Sequence, residues 1–173
     1  RLMDNALCQL RPSYCSALSE YNRLLDQKNK ILKSFEEKPS LLGLLPAYNA
    51  KMAELGGRII YMRNAYARML REYSSAVCGE LSGGSDLLSI SYCSLSNIKD
   101  TSLPENTLAR LAAEHQRTHS EAELASKSCL SGPHKDDLAI CINESPAKTY
   151  ASQGQIRSAV LSIKLAERDI FYR

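Results

Sequence analysis

No G-x-x-x-x-G-K-[ST] run occurs in the chain, so it has no phosphate loop in which backbone N–H groups and a lysine cradle a nucleotide. No apolar stretch approaches the ~20 residues that cross a bilayer as a helix, which argues against a membrane protein. The six cysteines, Cys8, Cys15, Cys78, Cys93, Cys129 and Cys141, form no C-x-x-C pair. Free buried thiols in a cytosolic protein are expected of them. Internal repeats and low-complexity tracts are absent. Basic residues do not alternate with aromatics along any stripe, and with a net charge of only +3 this speaks against a stand-alone basic DNA-binding module.

What remains is an ordinary globular composition: 173 residues, 44% hydrophobic, 24% charged, with a formal net charge of +3. One domain is expected, with room for an extended arm. Residues 1–80 carry 12 Lys/Arg against 8 Asp/Glu, residues 81–131 carry 4 against 6, and residues 132–173 carry 6 against 5. The mildly basic first part permits contact with nucleic-acid phosphates and is equally the pattern of a solvated helix face.

Helical periodicity dominates the first 80 residues. Pro12 suits a first helical turn, and apolar Tyr14, Ala17, Tyr21, Leu24, Ile31 and Phe35 recur at three and four, with Lys28 interrupting. That helix is expected to reach about Glu37, before Pro39. A second is expected from about Pro46 to Cys78, with a 3-4-3-4 seam of Met52, Leu55, Ile59, Met62, Tyr66, Met69 and Tyr73. Two such helices joined by a short linker read as an antiparallel hairpin. Gly56-Gly57 predicts a kink inside the second. Further on, Leu87–Cys93 alternates as a strand, Asn97 to Ser102 is turn-like, and Pro104 to about Lys127 is helical. Ser128–Leu130 and Leu138–Ile142 read as two more strands, connected through Gly132–Asp137. The fold class is α+β and mostly helical: a long helical hairpin arm over residues 1–80, then residues 81–173 with a small antiparallel sheet and a last helix.

That last helix is the informative feature. Ser152 and Gln155 have the S-x-x-Q spacing of a capping box, and Gly154 between them cannot shield the backbone N–H groups. Free donors at the positive end of a helix dipole make an anion site. Ile156, Ala159, Val160, Ile163, Ala166 and Ile170 would anchor the helix in a core. From local chemistry alone, an ordinary capping box without a ligand is the commoner case. Arg157 on the first turn would either reach an anion or brace the loop through a carboxylate, and bracing is favoured. Leu81-Ser82-Gly83-Gly84-Ser85 is rich in the same letters, but it follows a helix and precedes a strand, so its glycines read as a helix stop and turn.

Other polar residues have bland readings. His134, between Pro133 and Lys135, is more often a hydrogen-bonding scaffold residue than a base when no nucleophile or metal partner is near in sequence. Adjacent Asp136 and Asp137 would face opposite sides if extended, which argues against a catalytic dyad. His115 and His119 share a helix face without a third ligand, so an exposed face is expected and no metal site. No catalytic residue is assigned.

Four collinear blocks resemble the RecF family of bacterial DNA replication and repair proteins, which are ATPases of the ABC type. They are Tyr21-Asn22-Arg23-Leu24-Leu25-Asp26-Gln27-Lys28-Asn29, where the family usually has Arg at Lys28; Ala53-Glu54-Leu55-Gly56 with Arg58-Ile59-Ile60; Gly132-Pro133-His134-Lys135-Asp136-Asp137-Leu138, with Ile142-Asn143 a few residues on; and Ser152-Gln153-Gly154-Gln155, followed by Arg157 and Leu161-Ser162-Ile163-Lys164-Leu165-Ala166-Glu167. The resemblance implies a middle segment, without the phosphate loop and the Walker B acid of the whole protein. It implies that Ser152, Gln153, Gly154, Gln155 and Arg157 form a signature acting in trans on ATP of the opposite subunit. Gly132, Pro133, His134, Lys135, Asp136 and Asp137 would form a supporting loop. For the full-length protein it implies ATP with Mg²⁺, an ATP-dependent homodimer, and slow DNA-dependent ATP hydrolysis, the segment alone being no enzyme. It further implies binding of double-stranded DNA or single/double-strand junctions, and cooperation with RecR and RecO in loading RecA during recombination and the SOS response. The rival from another class is a structural helical-hairpin interaction module without a nucleotide role.

Overall fold

The computed structural model describes residues 2–94 and 98–172. In chain order these form α1 (Leu2–Leu10), α2 (Pro12–Ser34), a 3-10 turn (Pro39–Leu44), α3 (Leu45–Leu81), β1 (Leu88–Cys93), α4 (Glu105–Thr118), α5 (Ser120–Ser126), a second 3-10 turn (Pro133–Lys135), β2 (Asp137–Ile142), β3 (Ser145–Pro146), α6 (Ala147–Tyr150) and α7 (Gln153–Phe171). Contacts group them into two compact units. One comprises residues 1–6, 63–93 and 137–173; the other comprises residues 7–62 and 94–136. Neither unit ends at residue 80, because α3 gives its first half to one and its second half to the other.

In the unit built from 7–62 and 94–136, α2 opens with Pro12 at its first position after an extended Arg11. Helices α2 and α3 run antiparallel: Tyr21 lies beside Gly56, and Ile31 shares a small pocket with Tyr48. The hairpin is not a bare arm, since α4, α5 and the 129–136 loop belong to the same unit. Helix α3 runs unbroken through Gly56 and Gly57. A Cβ on Gly57 would come 2.5 Å from the backbone N of Ala109, so the glycine serves close helix approach rather than the expected kink.

The expected seam of α3 holds only in part. Met52, Leu55, Ile59 and Tyr66 are buried, but Met69 is exposed and the buried row continues as Ala67, Leu70, Ser74 and Cys78. A straight helix drifts about 20° per heptad away from a 3.5-residue repeat, so a strict 3-4 seam rotates off the core.

The expected helix from Pro104 to Lys127 is two helices, broken at His119. There the Thr118 hydroxyl donates to the His115 carbonyl at 2.9 Å, His119 Nδ1 sits 2.8 Å from the same oxygen, and the two imidazoles stack at 3.9 Å. Helix α5 ends at Lys127, in the left-handed region at φ 53°. The turn expected at 97–102 is described from Ile98 onward, Asn97 lying outside the described residues; in it Asp100 accepts from the Ser102 N–H at 2.9 Å. Ser128–Leu130 is not a strand. Its backbone donors go to side chains instead: Cys129 N–H to Asn29 Oδ1 and Leu130 N–H to Glu123 Oε1, both 2.8 Å. A segment satisfied this way has no need of a ladder.

In the other unit, β1 alternates as expected, with Leu88, Ile90 and Tyr92 buried and Ser89, Ser91 and Cys93 exposed. It pairs antiparallel with β2, Leu88 opposite Ile142 and Cys93 opposite Asp137. The sheet order is β1-β2-β3. Between β2 and β3 sit Asn143 and Glu144, both left-handed at φ 50° and 64°, the geometry of a tight two-residue hairpin. Helix α7 buries Ala159, Ile163, Ala166 and Ile170 in this core, whereas Ile156 and Val160, expected inside, are 42% and 54% exposed. No helix among the described residues is long and apolar enough to cross a membrane.

Candidate functional site

The N-terminus of α7 is built by a reciprocal cap. Ser152 is extended, its Oγ accepts from the Gln155 N–H at 3.2 Å, and Gln155 Oε1 accepts from the Ser152 N–H at 3.0 Å. The Ser152 carbonyl starts the helix by accepting from Ile156 N–H at 2.9 Å. Two first-turn donors, the N–H groups of Gln153 and Gly154, have no partner among the described residues. Ser152, Gln153 and Gly154 are exposed. Beyond Gly154 the space is open; an added Cβ would meet only Ser152 Oγ, at 3.9 Å. A nineteen-residue helix behind these donors gives them a positive end suited to phosphate. The donor set therefore fits a phosphate group, which Ser152, Gln153 and Gly154 would hold.

Bracing comes from an unexpected quarter. Gln155 Nε2 donates to Asp86 Oδ1 at 2.8 Å. Asp86 closes the Leu81–Ser85 turn, whose glycines do end a helix: Gly84 N–H bonds the Gly79 carbonyl at 2.8 Å, and Gly83 and Gly84 sit at φ 62° and 86°. Ser82 Oγ receives the Asp86 N–H at 3.0 Å. Asn143 clamps the same turn, accepting from Leu87 N–H at 2.8 Å and donating to the Ser85 carbonyl at 3.3 Å. Arg157, favoured as the brace, is exposed and makes no ion pair with any described residue; Gln155 has taken that part.

The run Gly132–Asp136 belongs to the other unit, and Asp137 opens β2. Gly132 stands at φ 128°, and a Cβ there would collide with the Tyr21 hydroxyl, so only glycine fits. Tyr21 Oη lies 2.9 Å from His134 Nδ1, and His134 Nε2 lies 3.4 Å from the Cys129 carbonyl. A carbonyl only accepts, so Nε2 carries the proton and Nδ1 receives the Tyr21 O–H. Burial is the main reason the His134 pKa falls below its usual value. The ring is a neutral scaffold piece. Beneath it, Lys28 and Glu123 form a buried ion pair at 2.6 Å, and Glu123 also accepts from Leu130 and Ser131 N–H. Cys129 is pushed up to about 11, chiefly by burial. Lys135 is exposed, Asp136 accepts from the Ser94 hydroxyl at 3.1 Å, and Asp137 is exposed, bonding the next N–H.

His115 is not on an exposed face: it is buried, 2.9 Å from Ser131 Oγ, with its pKa lowered by burial and then by His119. No group of three potential metal ligands gathers among the described residues. Sequence reading missed Asp86 and Glu123 altogether and carried Asn29 and Asn143 only as letters of the family blocks. Asn29 lies within a recognised block and Asp86 abuts the Gly-Gly turn; Glu123 carries no sequence signal, since an acid on a short polar helix looks solvated.

The mostly helical fold with its small antiparallel sheet is that of an ABC ATPase-like protein. No family model matches the chain. RecF of Acetivibrio thermocellus is 36% identical over 172 residues, 98% of this chain and 46% of the relative; RecF of Enterococcus faecalis is 32% identical over 173 residues, 99% and 46%. Two solved structures of the recombination mediator protein RecF in the RecFOR pathway, RecF-ATP and RecF-ATPrS, each superpose with TM-score 0.91 at 31% identity, covering 98% of this chain and 45% of theirs. Over its length the chain is homologous to RecF, and it spans just under half the length of those relatives.

Proposed function

We propose that this chain is the signature-bearing segment of a RecF-type protein of DNA replication and recombinational repair, working in the cytoplasm. Ser152, Gln153 and Gly154 meet the γ-phosphate of ATP held by the opposite subunit, with Gln155 fixing the cap. Two subunits close on two nucleotides, and ATP joins them. The closed dimer holds double-stranded DNA or a single/double-strand junction and acts with RecR and RecO so that RecA is loaded. ATP and its Mg²⁺ are held chiefly by the phosphate loop and Walker B acid of the longer protein, which supply slow hydrolysis; the segment contributes donors and shape. The run Gly132–Asp137 supports the architecture.

The observation that carries this reading is the pair of open N–H groups at a capped, exposed helix start, in a chain homologous to a protein solved as RecF-ATP. Ser152→Arg in the full-length protein tests it. The substitution removes the cap and puts a bulky cation where phosphate would sit. ATP-analogue-driven dimerisation, followed by sedimentation, should be lost while monomer ATP binding persists. Undiminished dimerisation would return the chain to the reading of a structural helical-hairpin module.

A further inference from the structure

We infer that Asp86, on the turn that only imitates a signature, is a positioning residue for the Ser152 loop; the inference rests on the reading of that loop as a phosphate contact. The Gln155 side chain is held at both ends. Its Oε1 accepts from the Ser152 N–H at 3.0 Å, and its Nε2 donates to Asp86 Oδ1 at 2.8 Å. A carboxylate accepts and never donates, so it dictates which way the Gln155 amide faces. With Nε2 turned to Asp86, Oε1 must face the N-cap.

Two consequences follow for the phosphate-facing atoms. The Ser152 N–H is occupied, and Ser152 Oγ is occupied as an acceptor by the Gln155 N–H at 3.2 Å. The Ser152 hydroxyl proton is therefore the part of this residue left to be donated outward. The Gln153 and Gly154 N–H groups are kept beside it. Asp86 is itself pinned: Ser82 Oγ holds its N–H at 3.0 Å, and Asn143 Nδ2 approaches its Oδ1 at 3.5 Å. Asn143 stands in the left-handed conformation of the β2–β3 turn, so the hairpin, the helix-ending turn and the α7 cap meet at one carboxylate. Asp86 touches no phosphate; it acts through Gln155.

The test is made in the full-length protein, by sedimentation with a slowly hydrolysed ATP analogue and by calorimetry of monomer ATP binding. Asp86→Ala should weaken analogue-driven dimerisation about tenfold, the worth of a charge-assisted hydrogen bond. Asp86→Asn keeps an acceptor for Gln155 and should restore dimerisation to within about threefold of the parent, half a neutral hydrogen bond or less. Gln155→Ala should weaken it, and adding Asp86→Ala to Gln155→Ala should do nothing more, because the two act as one unit. Monomer ATP affinity should stay put and Asp86→Asn should rescue dimerisation, a combination that a general loss of structure would not give. If Ser152→Arg blocks dimerisation while Asp86→Ala leaves it unchanged, or if the two effects add, the positioning role is overturned and the signature reading survives. If Ser152→Arg leaves dimerisation intact, both fall together.

Discussion

The Tyr21 hydroxyl and His134 Nδ1 meet at 2.9 Å across 113 residues of sequence. That bond joins two of the blocks by which the chain resembles its relatives. The blocks are thus partners: α2 supplies Tyr21, Lys28 and Asn29, and the loop from Cys129 to His134 is fastened to them. Gly132 is left-handed so that Tyr21 can pass over its backbone.

The neutral state of the buried histidines makes stability pH-dependent. Burial lowers the pKa of both His134 and His115, so below the ordinary histidine value the unfolded chain takes up protons that the folded chain refuses. Stability is complete above about pH 6.5 and declines as pH falls toward the depressed folded values. Urea unfolding at stepwise lower pH should show the decline, and His115→Gln with His134→Gln should flatten it. An equal slope in parent and double variant would refute the assignment.

The adjacent glycines of α3 should respond oppositely. At Gly57 a Cβ meets the Ala109 backbone, which cannot step aside; at Gly56 it meets Pro133 Cδ at 3.4 Å, an ordinary contact. Gly57→Ala should cost at least about 2 kcal/mol by overpacking. Gly56→Ala gains helix propensity and should stay within about 1 kcal/mol of the parent. Denaturant midpoints would separate the two, and equal losses would count against the packing given for Gly57.

Elements with a strong local signal were legible in sequence: the Pro12 helix start, the alternating β1 strand, the Ser152 capping box and the helix stop at Gly83-Gly84. Elements decided by distant side chains were not. Ser128–Leu130 has the letters of a strand, but Asn29 and Glu123 satisfy its backbone from elsewhere. Ile156 and Val160 keep helical spacing yet stay outside, because the periodicity of a stripe does not fix its width. The loop at Ser152 was legible as a cap; its support by Asp86 joins positions 69 residues apart, and no local pattern encodes that.

Lys28, an apparent flaw in an apolar stripe, should prove costly to remove. It is buried against Glu123, whose other oxygen holds two backbone N–H groups. Lys28→Met strands the carboxylate and should cost about 3 kcal/mol. Adding Glu123→Gln removes the stranded charge while keeping an acceptor for Leu130, so the double variant should regain about 1 kcal/mol or more. Additive losses in chemical denaturation would show that the two side chains are not coupled.

The isolated 173-residue chain should bind ATP no tighter than about millimolar, the range left to a few neutral donors without a P-loop lysine or bound Mg²⁺. At the start of α7 those donors are two backbone N–H groups and one hydroxyl, all open to water, where each contact gains little over solvent. The phosphate loop that would add a lysine is absent from the sequence, and no group of three metal ligands gathers among the described residues. In the proposed dimer the signature adds its donors to a nucleotide already held by another subunit, so the ordering entropy has been met before they engage. Calorimetry of the chain with ATP decides the matter. A micromolar Kd would require a second nucleotide site within these residues, and the division of labour between a loop that holds ATP and a signature that senses it would have to be abandoned.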